Sequence, residues 1–561
     1  MINLRRLLAW SVTTACVVLA PSNFAQQVTT MSAPSHDKNS PIVKAPAGSI
    51  EGRLEGALRV FKGIPYALPP VGSARWRPPS PMPDWAGIRK ATEFGPVCFQ
   101  PSGSTTSIYA WVPEPMSEDC LTLNIWAPTA VRKAPVFFWI HGGALTTGSS
   151  RDSLYDGTRL AEQGILVVSI NYRLGVLGWL AHPELSRESA LGISGNYGLL
   201  DQIEALKWVR RNISAFGGDP ANVTIAGESA GALSVMYLLA SPAARGLFAK
   251  AITESAYMIS TPELKQQSFG SPSAEESGVK LAAALHAPNI EAMRAMDANA
   301  LTLAAPAAGF APWGTIDGHV MLRQLVDVFD KGEQAPVPLL AGFNSGEIRS
   351  LMVLAPQPPA NAAAYEAYIR DHYGDLADEF LRLYPSANMQ ESILATTRDA
   401  LYGWTAQRLV RKQTALRQPS FLYFFDHGYP AADTAGLHGF HASELPFVFG
   451  TIDGTPPNWP KIPATPQEKS LSDAIVGYWS SFARTGHPQA ANQPDWPVFG
   501  STGAYMAFKE APTPSDNLLP GMYEFNEETV CRRRAAGNIA WSWNAGLYSP
   551  KLPAQQPQCK R

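Results

Sequence analysis

The pentapeptide Gly227-Glu228-Ser229-Ala230-Gly231 places one hydroxyl between two glycines. Val223–Ala226 before it is a short apolar run with β-branched residues, the pattern of a buried parallel strand. Ala230–Leu239 after it is rich in helix formers and apolar residues. A chain that passes from strand to helix in so few residues must turn sharply, and glycine removes the side chains that would clash there. A serine at the apex of such a turn projects its hydroxyl outward. The amide of the next residue, Ala230, then points to where an oxyanion would form on an attacked carbonyl. The chemistry this spacing could do is nucleophilic acyl transfer. It also needs a base, an acid to orient that base, and further amide donors.

A second glycine-rich turn offers the donors. In "FFWIHGGALTTG" an apolar strand ends at Ile140, and His141-Gly142-Gly143-Ala144 lets backbone N–H groups approach a ligand closely. His141 precedes the serine and reads as a residue that fixes the loop. In a strand–elbow–helix hydrolase the chain order is serine, acid, histidine. Glu347 follows the apolar run of "LLAGFNSGEIRSL" and a turn, which makes it the candidate acid. Beyond it stand His372, His427, His438, His441 and His487. His441 lies in "HGFHASELPFVFG", a loop entering an apolar segment, and His438 competes with it on the residues alone.

These groups need rigid elements to hold them. Apolar β-type runs recur at Val136–Ile140, Ile165–Ile170, Val223–Ala226, Val337–Phe343 and Ser420–Phe425. Helical stretches separate many of them, for example Leu200–Ile213 and Ala362–Arg370. Strands alternating with helices predict an α/β protein with a large, mainly parallel sheet covered on both faces. Ligands of such sheets bind outside the carboxyl ends of the strands, where Ser229 falls. The chain has 561 residues, 45% of them hydrophobic and only 16% charged. That charged share, below the roughly 25% of ordinary globular chains, predicts a large core. The formal net charge is −2, which offers no electrostatic attraction to nucleic acid or anionic lipid.

The N-terminus reads as a targeting segment. Arg5-Arg6, the apolar run Leu7–Ala20 and the small residue Ala25 predict a signal peptide over residues 1–25 and an exported protein, periplasmic or secreted. The apolar run is short for a membrane span. Residues 26–47 are polar and aperiodic and read as a flexible lead-in, followed by a single domain over 48–561. Cleavage removes Cys16 and leaves Cys98, Cys120, Cys531 and Cys559. Four cysteines in an exported chain allow two disulfides in three connectivities, of which the local pairing is the simplest. None has the spacing of a zinc site.

With these pieces in place the chain resembles the type-B carboxylesterase/cholinesterase family of α/β-hydrolases, over roughly Ile50–Phe499. The resemblance is carried by "FKGIPYALPPVGSARWRPP" (Phe61–Pro79), "SEDCLTLNIWAP" (Ser117–Pro128), "WIHGGALTTGSS" and "NYRLGVLG" (Asn171–Gly178). It continues through "GNYGLLDQIEALKWVRRNISAFGGDPANVTIAGESAG" (Gly195–Gly231), "HASELPFVFG" (His441–Gly450) and "SFARTGHP" (Ser481–Pro488). It implies Ser229 as nucleophile, Glu347 as the acid and His441, rather than His438, as the base. It implies oxyanion donors at Gly143, Ala144 and Ala230, a first disulfide at Cys98–Cys120, and supporting positions at Glu228 and Ser255. Three residues depart from the family pattern. Ala144 replaces the third glycine of the usual turn, Leu145 stands where an aromatic is usual, and Ile348-Arg349 follow the acid.

The implied activity is hydrolysis of a small-molecule carboxylic ester by water through an acyl-enzyme, with no metal or cofactor. The alternatives on the same triad are amide or carbamate hydrolysis and lipase action. A non-catalytic interaction protein of the same fold would not need all three triad positions filled. Candidate walls of the substrate pocket are Trp111, Leu145, Phe310, Trp313, Arg349, Met352 and Phe447. Arg349 raises one sharper expectation, a guanidinium that pairs with an acidic group on the ester. The residues leave the oligomeric state open.

Overall fold

The computed structural model describes residues 40–102, 106–110, 115–542 and 545–559. The predicted signal peptide, Cys16 and Trp111 lie outside them. From Pro41 onward the chain forms one compact unit. That start corrects the expected lead-in. Ile42–Ala45 is a strand paired antiparallel with Gly48–Glu51, inside the stretch read as flexible. The hairpin is tied down where the Ala47 amide donates to Asn212 Oδ1 at 2.9 Å, a long-range tether that composition does not reveal.

The frame is an eleven-stranded sheet. In chain order its strands are β1 (Arg53–Glu55), β2 (Leu58–Pro65), β3 (Thr122–Pro128), β4 (Ala134–Ile140), β5 (Leu166–Ile170) and β6 (Gly218–Glu228). They continue as β7 (Lys250–Glu254), β8 (Leu339–Asn344), β9 (Ser420–Phe425), β10 (Ala504–Phe508) and β11 (Pro512–Asp516). Across the sheet the order is β11-β10-β9-β8-β7-β6-β4-β5-β3-β2-β1. From β5 to β10 all neighbours are parallel, and the outer strands pair antiparallel at both edges. The apolar runs read from the sequence are five strands of this parallel centre; Lys250–Glu254 and Ala504–Phe508 join it without having been read as runs. Strands β4, β5, β7 and β8 are buried along their whole length, as strands covered on both faces must be.

Each face carries its own core. On one side pack α1 (Tyr197–Asn212), α2 (Ala230–Ala240) and α3 (Trp404–Ala415). On the other packs α4 (Pro466–Thr485), whose Trp479 and Phe482 meet Tyr423 and Phe421 of β9. Its ends follow from sequence: Thr465 Oγ1 accepts from the Glu468 amide at 3.2 Å, Pro466 opens the first turn and Gly486 closes the last in a left-handed conformation. Helix α2 is buried all round. A helix without a polar face belongs in a core, and this one makes a rigid base for the residue before it, Ser229.

Both local disulfides are present. Cys98–Cys120 closes the loop before β3, and Cys531–Cys559 ties the helix α5 (Met522–Ala536) to the C-terminal segment. A chain-entropy argument gives loops of this size about 3 kcal/mol of stabilisation each. Two disulfides mark a protein of a non-cytoplasmic, oxidising compartment. Among the described residues no helix is long and apolar enough to cross a membrane.

Candidate active site

The site is built on the carboxyl ends of β4, β6, β8 and β9. Strand β6 ends at Glu228, and Ser229 turns into α2 with φ 55° and ψ −121°, a strained backbone for a residue with a Cβ. The strain is held from both sides. The Ser229 amide donates to the Glu254 carbonyl of β7 at 2.9 Å, and its carbonyl accepts from the Leu233 amide at 2.9 Å. Gly231 is required by close approach, since a Cβ there would sit 2.1 Å from the Ile140 carbonyl oxygen of β4. A Cβ at Gly227 would lie 2.6 Å from the Gly231 carbonyl carbon.

The turn after β4 faces the same point. Gly143, Ala144 and Leu145 all have positive φ, at 98°, 55° and 57°. The amides of Gly143, Ala144 and Ala230 donate to no protein acceptor among the described residues. Thr146 and Thr147 donate back to the Gly143 carbonyl at 2.9 Å, which closes the turn. A Cβ at Gly142 would lie 2.9 Å from Glu228 Oε2 and 3.2 Å from Ser229 Cβ. The turn, the Glu228 carboxylate and the serine side chain therefore meet at one place. His141 is a fixture of this turn. Its ring stacks on Tyr172, its Nδ1 lies 2.9 Å from the Gly142 carbonyl, and burial pushes its pKa down to about 4.

Glu347 opens a short helical turn just beyond β8 and is fully buried. Its Oε1 accepts from Ser255 Oγ at 2.6 Å and from the Asn344 amide at 2.9 Å. Its Oε2 lies 2.5 Å from His441 Nδ1. The other ring nitrogen, Nε2, lies 3.1 Å from Glu228 Oε1, close enough for ion pairing but without the alignment of a hydrogen bond. Burial opposes charge on this imidazole. Glu228 and Glu347 outweigh it and push the His441 pKa up to about 9. His438, the other candidate base, is engaged elsewhere. It bridges Asp433 at 2.8 Å and Asp426 at 3.2 Å, and these partners push it up to about 8.

Sequence and structural comparison bear on the same frame. The carboxylesterase family model matches residues 39–526. This chain belongs to the carboxylesterase family. It is 37% identical to a fumonisin B1 esterase of Sphingopyxis macrogoltabida over 487 residues, covering 82% of this chain and 85% of that one. It is 36% identical to a para-nitrobenzyl esterase of Bacillus subtilis, covering 82% and 92%. A solved PNB esterase structure superposes with a TM-score of 0.75 at 34% identity, covering 86% of this chain and 99% of that one. The Geobacillus stearothermophilus carboxylesterase EST55 superposes with a TM-score of 0.72 at 33% identity, covering 88% and 99%. The fold is the α/β-hydrolase fold, and the protein is a carboxylic ester hydrolase.

Within this carboxylesterase the predicted pocket walls scatter. Leu145 and Phe447 have no solvent exposure and pack in the two cores, because the turn after β4 and the helix after His441 both close onto the sheet. Phe310 packs against a satellite cluster of helices, Trp313 is half-buried against the main core, and Met352 is exposed. Arg349 is not a free cation. Its guanidinium donates to Glu391 at 2.6 Å and to the Gly436 carbonyl at 3.3 Å, on the outer side of the Glu347 turn.

Three residues that motif reading passed over stand beside Glu228. Glu254 ends β7 and accepts from Trp479 Nε1 at 2.5 Å. Glu444 is held by Asn344 Nδ2. Burial, then mutual repulsion, pushes Glu444 well above the carboxylate range. Burial pushes Glu254 up to about 8 and Glu228 up to about 7. Near neutrality this cluster therefore holds protons that isolated carboxylates would lose. The third is Tyr109, half-buried in the Cys98–Cys120 loop, with its hydroxyl against the His441 carbonyl. A signal for Glu444 was present in "HASELPF"; nothing local marks Tyr109.

Proposed function

We propose that this carboxylesterase works through an acyl-enzyme on Ser229, with His441 as general base and Glu347 as the acid that orients it. The observation that carries the reading is the convergence at Gly142. The Ser229 side chain and the Glu228 carboxylate touch one position there, and His441 Nε2 stands 3.1 Å from that carboxylate, with Nδ1 locked onto Glu347. In this reading the imidazole turns from Glu228 toward Ser229, which brings base and nucleophile together. His441 then takes the serine proton as the hydroxyl attacks the ester carbonyl, and Glu347 stabilises the imidazolium that forms. The amides of Gly143, Ala144 and Ala230 receive the oxyanion, and losing one such donor costs about 3 kcal/mol of transition-state stabilisation. The imidazolium returns its proton to the leaving alcohol. Water, deprotonated by His441, releases the acid.

Glu228 has a second role in this reading. Before attack it holds the imidazole through its Nε2 edge, so the base is poised but occupied. The preference for acidic esters suggested by Arg349 has no free guanidinium to carry it. The same triad would serve amides and carbamates, and nothing at the site favours them over esters. We place the protein outside the cytoplasm, exported by the segment 1–25, with a single catalytic domain that begins at Pro41 rather than at residue 48. The test is Ser229→Ala against a panel of p-nitrophenyl esters. Loss of turnover on every ester is expected, and substantial residual turnover would remove Ser229 from the mechanism.

A further inference from the structure

We propose that Tyr109 is a positioning residue for His441, and that it ties the Cys98–Cys120 loop to the catalytic base; this rests on the triad reading above. The histidine loop is held by three consecutive carbonyls. The Gly439 carbonyl accepts from the Gly346 amide at 2.7 Å. The Phe440 carbonyl accepts from Asn344 Nδ2 at 2.8 Å. The His441 carbonyl accepts from the Tyr109 hydroxyl at 2.8 Å. The first two donors come from β8 and the turn that carries Glu347. The third comes from a loop more than 300 residues away in the chain.

The Tyr109 oxygen also lies 2.8 Å from Ser350 Oγ. A carbonyl can only accept, so the single phenolic proton is directed to His441, and the Ser350 hydroxyl donates to the phenolic oxygen. Ser350 is the residue just past the turn Glu347–Arg349. One phenol thus joins the acid's turn, the histidine's backbone and the disulfide loop. Burial first, then the neighbouring Glu228, Glu347 and Glu444, raise the Tyr109 pKa well above 10, so it remains a donor throughout the working range.

The phenol is itself held. Its ring meets Trp459 edge-on at 5.9 Å, and Trp459 packs on Phe440, the neighbour of His441, at 4.8 Å. Asn458 Nδ2 donates to the Ser107 carbonyl at 3.0 Å, and the Tyr109 amide donates to Ser107 Oγ at 3.1 Å. The segment 107–109 is therefore clamped to the histidine side of the site. A base must hold its angle to the nucleophile closely, since about 1 Å of misplacement costs on the order of a hundredfold in rate.

Tyr109→Phe keeps the ring on Trp459 and removes only the hydroxyl. Losing one ordinary hydrogen bond's worth of positioning lowers kcat by about tenfold, with KM within about twofold, and by the same factor for short and long acyl esters. The rate of irreversible phosphonylation by a fluorophosphonate, which needs the same base, falls in parallel. Tm of the purified full chain stays within a few degrees, and Ser350→Ala in the Tyr109→Phe background adds little further loss. An unchanged kcat, or a loss confined to KM or to one acyl length, overturns the proposal; the latter would make Tyr109 a substrate contact. Ser229→Ala run alongside separates the two failures. Residual turnover there defeats the triad, whereas a dead Ser229→Ala with a fully active Tyr109→Phe defeats only this inference.

Discussion

Replacing Glu228 by glutamine tests the electrostatics of the base. The substitution keeps the size of the side chain and removes the charge that stands 3.1 Å from His441 Nε2. Burial alone would push the imidazole below its ordinary value; it is pushed instead from 6.5 to about 9, and Glu228 is the largest of the charges that raise it. A general base must be neutral to act, so the acid limb of kcat/KM follows this group in the free enzyme. Removing the anion destabilises the imidazolium and lowers its pKa, so the limb moves to lower pH. An opposite charge at this range is worth about 1–3 pKa units, and Glu347 with its hydrogen bond remains, so we expect a fall of about one to two units. Because Glu228 is itself raised to about 7, the parent should show a step that the variant lacks. The alkaline plateau should fall, since the imidazolium of the transition state loses the same stabilisation. The assay is kcat/KM for a neutral p-nitrophenyl ester from pH 5 to 10, with Tm measured at each pH. A limb that stays in place, or moves up, refutes the assignment of the shift to Glu228.

Two further substitutions test other parts of the account. Arg349→Ala should lower kcat/KM for neutral and carboxylate-bearing esters by the same small factor, because its guanidinium is committed to Glu391 and the Gly436 carbonyl; a selective loss on the acidic esters would restore Arg349 as a substrate contact. Gly231→Ala should cost several kcal/mol of stability or prevent folding, read as Tm or soluble yield, since its Cβ would sit 2.1 Å from a backbone carbonyl that the sheet holds in place; a variant with the parent's Tm would contradict the close packing of strand and helix.

Much of this candidate site was legible in the sequence because its parts are local. The elbow at Ser229 is one pentapeptide between a strand and a helix. The turn at Gly143 follows one apolar strand, and Glu347 follows another. The five apolar runs were legible as parallel strands for the same reason, since strands covered on both faces are continuous hydrophobic stretches, whereas β7, Lys250–Glu254, carries a charged residue at each end and was not. What the sequence hid is non-local. Ile42–Ala45 forms a strand because Asn212, far along the chain, holds the turn beside it. Tyr109 and Glu254 matter through the residues that fold against them. Leu145 and Phe447 read as pocket walls because they adjoin site residues, yet adjacent side chains on a turn or helix point in different directions, and both point into the cores. Arg349 was legible as a cation, but its partner Glu391 lies on a separate helix.

In the proposed mechanism Ser229, activated by His441, forms the covalent intermediate. Labelling with a fluorophosphonate followed by mass spectrometry of the digested protein tests it most directly. One adduct per chain is expected, on the peptide containing Ser229, with activity lost in proportion, no adduct in Ser229→Ala, and a labelling rate that falls as the pH drops below the raised pKa of His441. A stoichiometric adduct on another residue, or an unlabelled Ser229 in an inactivated enzyme, would contradict it.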